Sequence, residues 1–282
     1  MNKELEQTIM AAGDLPTIPV VATKVMQLIE MDNISVDEIA KVVSTDPAVA
    51  ARVLKIANSA FYGCQRQIQT ISGAIVVLGF NTLRSLVVAA SVREVYMPYG
   101  LTEKMLWEHS FGAGIAARII AHDARKANHE ESFLAGLLHD IGKIIMNNID
   151  RNKFQTVMSR CYNEELLFEE VESSVYPFTH AEVGAHVVQK WNFPEGLVHA
   201  INFHHSLEDD DSDDQYLRNL TAVVSMADQF CHKLGIGTRA PQEDLDLAGS
   251  KQAEILGLDE EQINELLESF QEAFNKDRSF LD

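Results

Sequence analysis

Along nearly the whole 282-residue chain, apolar residues recur at three- and four-residue spacing and hardly ever alternate. That period belongs to the α-helix. A chain whose only burial pattern is helical must cover each apolar stripe with another helix, so the fold class expected is all-α. A hydrophobic content of 46% is ample for a large core in one big or two small domains. Helix starts are also legible. Ser35-Val36-Asp37-Glu38 and Thr179-His180-Ala181-Glu182 are capping boxes, and Asp46 before Pro47 pairs an N-cap acceptor with a proline where no donor is missed. Another start follows Pro16 and Pro19, and Pro98 with Gly100 closes the first half. The expected organisation is helical parts at 1–100, 101–235 and 236–282, the last an appendage ending in an amphipathic helix near 259–274.

Charge removes several function classes. With 42 acidic against 23 basic residues the net charge is −19, which repels phosphate backbones and anionic lipid alike, so direct nucleic-acid and membrane partners are not expected. A small phosphorylated ligand would need a metal or a local basic residue to offset the same field. No apolar run reaches the roughly 20 residues of a membrane span, and MNKELEQTIM carries charges where a signal peptide would be apolar. A cytoplasmic location is expected, with Cys64, Cys161 and Cys231 as free thiols.

Placing residues at 100° per step sorts the ten histidines. A predicted helix around 133–146 puts Phe133, Leu134, Leu137, Leu138, Ile141, Ile144 and Ile145 on one face and Gly136, His139, Asp140 and Lys143 on a separate stripe. Adjacent His and Asp side chains can offer two ligands to one metal, although an isolated dipeptide is more often a hydrogen-bonded surface pair. His109 shares a face with Ala113, Ala116, Ala117 and Ile120, where a satisfied core histidine is the plainer alternative. His180 falls on the inward stripe of its helix, and His204 and His205 flank the direction of Leu197 and Ile201, whereas His186 and His199 point away. Asp228 lies off the stripe of Leu220, Val223, Ala227, Phe230 and Leu234, so it joins the set only if its helix is covered on two sides. His109, His139, His180, His204, His205, Asp140 and Asp228 make an N/O donor set suited to one or two ions of iron, manganese or zinc. Such ions would activate a water and clamp a phosphoryl oxygen, with Lys143 supplying a compensating charge, so Asp140 and Lys143 are the expected catalytic groups.

The segments LPTIPVVATKVMQLI, STDPAVAARVLKIANSAFYG, ISGAIVVLG, LAGLLHDIGK, HAEVGAHVVQKWNFP and AINFHH follow one another in the order of the HDOD family, the HD-related output domain of bacterial signalling proteins. The chain resembles that family over about residues 15–230. Its second half is similar to the HD phosphohydrolase superfamily, whose first His, HD pair and distant Asp correspond to His109, His139-Asp140 and Asp228. HDIGK is the form found in HD-GYP cyclic-di-GMP phosphodiesterases, which add histidines resembling His180 and His204-His205 and a phosphate-contacting lysine like Lys143. No GYP motif follows His205, and Met105 stands where some of those sites add a glutamate. The resemblance implies a multi-helical HD-like bundle with an N-terminal helical HDOD subdomain. It further implies a signalling output module acting through contacts with signalling proteins, with a retained metal site. The other function it allows is a metal-dependent phosphohydrolase acting on a nucleotide or cyclic dinucleotide.

Overall fold

The computed structural model describes residue 18 and residues 20–29, 31, 34–59, 61–64, 66–96, 100–164, 166–237 and 240–276, all of whose regular elements are helices. In the first half these are α1 (Val20–Ile29), α2 (Val36–Val43), α3 (Pro47–Ala57), α4 (Ile71–Leu78) and α5 (Phe80–Val92), closed by a 3-10 turn at Arg93–Tyr96. The expected starts at Ser35 and Asp46 are present. Ser35 and Glu38 form a reciprocal capping box, and the Asp46 carboxylate accepts from the amides of Ala48 and Val49. Pro16, Pro19 and Pro98 lie outside the described residues. α5 is buried almost all round because α1 and α3 pack on one side of it and the second half on the other.

The second half comprises α6 (Leu101–Ala124), α7 (His129–Leu138), α8 (Ile141–Ile149), α9 (Arg151–Glu164), α10 (Phe168–Val175), α11 (His180–Lys190), α12 (Glu195–Phe203) and α13 (Gln215–Leu234). α14 (Lys251–Leu256) and α15 (Glu260–Lys276) follow. α6 is the central rod, flanked by α7, α13 and α15. The α15 stripe of Ile263, Leu266, Phe270 and Phe274 is buried, and the Phe270 ring lies 6.3 Å from that of Phe230 on α13.

Two features of this packing position the site. The single helix expected around 133–146 is broken: α7 ends at Leu138, His139 and Asp140 form a turn, and α8 begins at Ile141. On a continuous helix neighbouring side chains diverge by about 100°; here His139 keeps helical dihedrals and the chain departs from them at Asp140, where φ is −98° and ψ is 11°. α8 then runs hard against α11. A Cβ at Gly142 would fall on the backbone carbonyl of His180, so this approach needs a residue without one.

Candidate metal centre

The break places His139 and Asp140 at the middle of the bundle, where α6, α11, α12 and α13 bring the other donors. His109 from the middle of α6, His180 at the first position of α11, His204 just past α12 and Asp228 on α13 are all buried, as are His139, Asp140 and Lys143. Asp228 is inside because α13 is covered on both sides. α6 lies against one face, and α14 covers the polar one, where Gln252 donates to the Ser225 hydroxyl at 2.7 Å. His205 sits at the rim, its side chain 21% exposed. Two groups of donors emerge, each with ligand atoms within 4.8 Å of one another: His109, His139 and Asp228, and Asp140, His180, His204 and His205. Asp140 joins the groups, since its Oδ2 is 3.6 Å and 3.5 Å from Nε2 of His109 and His139, while its Oδ1 is 3.2 Å and 3.8 Å from Nε2 of His180 and His204.

The tautomers are set from outside the cluster. His139 donates from Nδ1 to the Gly136 carbonyl at 2.7 Å, His204 from Nδ1 to the Ile201 carbonyl at 2.7 Å, and His109 from Nδ1 to the Ile236 carbonyl at 3.1 Å. A backbone carbonyl only accepts, so in each neutral ring Nε2 is left as a lone pair aimed inward. For His139 and His204 that Nε2 is buried and has no hydrogen-bond partner, and the same is true of Asp140 Oδ1. Burial also pushes His109 and His204 toward the neutral form. Neutral His109 therefore points a lone pair at Asp228 Oδ1 from 2.9 Å, an arrangement that becomes favourable with a cation among these atoms.

Charge supports the same conclusion. Burial acts to raise the Asp140 and Asp228 carboxyls, but neighbouring charge and hydrogen bonding outweigh it, with Lys143 and His180 acting at Asp140 and His232 at Asp228, and both are held well below the ordinary range. Lys143 donates to Asp140 Oδ2 at 2.8 Å, and although burial opposes its charge, Asp140, Asp228 and Glu169 raise it above the usual lysine value. Burial likewise opposes the charge of His180, yet Glu172 and Asp140 lift it to about 9. Lys143 thus lies among three carboxyl groups, Asp140, Asp228 and Glu169, while the fourth, Glu172, is paired with His180. Buried charge without compensation is costly, and a divalent cation fits both the deficit and the donor types.

Several groups that hold this arrangement carry little signal in the sequence. Glu172 on α10 accepts from His180 Nδ1 at 3.0 Å and from the His180 amide at 2.8 Å. Glu169, one turn earlier, accepts from His205 Nε2 at 2.8 Å; burial would raise its carboxyl, but His205 and Lys143 bring it down to about 2. The signal was a glutamate inside an apolar stripe, since Phe168, Val171, Glu172 and Val175 share one face of α10. Phe168 lies over the Lys143 ammonium, 4.6 Å from ring centroid to nitrogen. The turn after α13 is a further case. A Cβ at Gly237, where φ is +64°, would strike the His109 backbone, so glycine there allows the turn to deliver the Ile236 carbonyl to His109. His199, assigned outward, pairs instead with Asp210 at 3.1 Å.

Comparison with known proteins extends over most of the chain. Residues 15–207 match the HDOD domain family, a range that stops short of α13 and Asp228. An uncharacterized protein of Treponema pallidum (strain Nichols) is 25% identical over 218 residues, which is 77% of this chain and 42% of that protein, so the chain spans less than half the relative's length. A crystal structure of an HDOD domain protein with unknown function from Geobacter sulfurreducens superimposes with a TM-score of 0.82 at 24% identity, covering 99% of this chain and 96% of that one. A Shewanella amazonensis SB2B protein carrying a provisional phosphohydrolase name superimposes with a TM-score of 0.76 at 24% identity, covering 99% and 98%. At these identities the two structures share the fold.

Proposed function

Because this chain belongs to the HDOD domain family, we propose that it is a signalling output module whose metal centre organises the bundle and reports ion occupancy or redox state through protein contacts. His109, His139 and Asp228 would hold one ion and His180, His204 and His205 a second, with the two Asp140 oxygens shared between them. Bound iron, manganese or zinc supplies Lewis acidity, able to polarise a water or a phosphoryl oxygen. The observation that carries the regulatory reading is enclosure. His109, His139, Asp140, His180, His204 and Asp228 are at most 4% exposed. The approach past Lys143 is taken up by its pair with Asp140, and that past His205 by its pair with Glu169. The polar atoms that a phosphoester would have to meet are thus already paired, which suits a structural or sensory ion better than one that turns over substrate.

Phosphohydrolase action on a nucleotide or cyclic dinucleotide is the second reading, favoured by Lys143. Its ammonium sits 2.8 Å from the shared carboxylate and is held charged, the place and state required to meet a phosphoryl oxygen next to the ions. Metal analysis of protein purified without chelator, followed by phosphodiesterase and phosphomonoesterase assays with added manganese or iron, separates the two. Bound metal without turnover supports the module, and metal-dependent turnover lost in Lys143→Ala supports the hydrolase. Asp140→Ala should abolish uptake of both ions, and unchanged metal content in that variant would overturn the shared-ligand assignment.

A further inference from the structure

Three imidazoles, not two, converge on one oxygen of Asp228. Nε2 of His109 is 2.9 Å from Asp228 Oδ1, Nε2 of His232 is 3.3 Å from it, and Nε2 of His139 is 3.5 Å from it. His232 is one helical turn after Asp228 on α13, so both side chains leave the same face of a covered helix. Its ring lies 5.2 Å from that of His109, centroid to centroid, and the His109 and His139 rings are 5.3 Å apart. Its side chain is 30% exposed, at the solvent edge of the His109 group.

Hydrogen bonding accounts for one of these approaches and not for all three. A carboxylate oxygen has two lone pairs, and His109 and His139 have already spent their Nδ1 protons on backbone carbonyls. The Nδ1 of His232 is buried and has no partner, so nothing outside the cluster commits this ring to act as a donor through Nε2. With Nε2 3.3 Å from Asp228 Oδ1, His232 adds a further nitrogen donor at the edge of the group formed by His109, His139 and Asp228, on the side where an N/O-binding cation would otherwise meet solvent.

We propose that His232 is a ligand of the ion held by His109, His139 and Asp228, completing that position from the surface side of α13. The proposal rests on the two-ion reading given above. A ligand at the rim has a functional consequence: it can be displaced or oxidised without opening the bundle, which makes this ion the more exchangeable of the two.

The test compares the whole chain with His232→Ala, His232→Gln and the control His122→Ala, which removes an exposed histidine outside the cluster. Each is titrated with Co(II), the affinity and visible d–d spectrum are recorded, and far-UV circular dichroism verifies the fold. A ligand role predicts that both His232 variants lose about 10- to 100-fold or more in affinity for one ion, the range already produced by losing an outer-sphere partner. It also predicts an altered Co(II) spectrum in both and recovery of the His232→Ala affinity on adding imidazole. If His232→Gln, which keeps an N–H donor for Asp228, retains wild-type affinity and spectrum, His232 is only a hydrogen-bond partner and the proposal fails. Wild-type affinity in His232→Ala overturns it as well. Failure of the wild type to take up any ion would overturn the two-ion reading itself, a result distinguishable from the others because it precedes the variants.

Discussion

At the scale of the residue, the centre is defined by which nitrogen of each ring carries the proton. Carbonyls of Gly136, Ile201 and Ile236 take the Nδ1 protons of His139, His204 and His109, and so aim Nε2 inward before any ion arrives. His180 differs because its Nδ1 partner is a carboxylate, Glu172, and its pKa rises to about 9. The folded-state value is above the ordinary histidine value, so protonated His180 stabilises the ion-free protein fully below about pH 6.5, and that contribution is lost as pH rises through about 9. Chelator-treated protein should therefore lose thermal stability between pH 7 and pH 9.5, and His180→Gln should reduce that loss. Calorimetric scans across the interval read it directly, and an unchanged slope in the variant would exclude His180 as the source. The same proton competes with an ion for His180 Nε2, so ion uptake should strengthen over the same range.

Among the elements, α10 is small but closely tied to the centre. It packs along α9 and sends Phe168, Glu169 and Glu172 against Lys143, His205 and His180. Removing the carboxylate that orients a metal-binding histidine weakens binding about 10- to 100-fold in comparable sites. Glu172→Ala should do the same here while leaving the helical circular dichroism signal intact, as metal titration would show. α10 is also where reading by pattern was least complete. A glutamate on an apolar stripe is visible in the sequence, but which buried group receives it is not, because His180 comes from the next helix and meets it only in the packed bundle. The break between α7 and α8 was equally hidden. His139 and Asp140 continue the helical period without interruption, and the turn is stabilised by what surrounds it, including the α8–α11 approach at Gly142.

For the molecule as a whole, the two halves are joined through a buried charge network separate from the His and Asp cluster. Arg118 on α6 pairs with Glu130 at 2.8 Å and donates to the Tyr62 hydroxyl at 3.1 Å, while Thr82 on α5 donates to the same Glu130 oxygen at 3.0 Å. Arg118→Ala would leave Glu130, 4% exposed at its side chain, without its cation, so a loss of about 3 kcal/mol in chemical denaturation is expected, with metal content unaffected. Among the described residues no helix is long and apolar enough to cross a membrane, in keeping with the absence of any long apolar run in the sequence. The sequence by itself determined the helical class, the caps at Ser35, Asp46 and Thr179, and the family, because period, capping and motif order are local properties that survive being read one residue after another. Only the tertiary structure decided that Asp228, with His232 one turn on along the same helix face, is inside against His109 and His139, and that Glu169 and Glu172 hold His205 and His180. Those facts depend on which helices cover α13 and α10, and covering is a relation between segments tens of residues apart that no single helix's periodicity encodes.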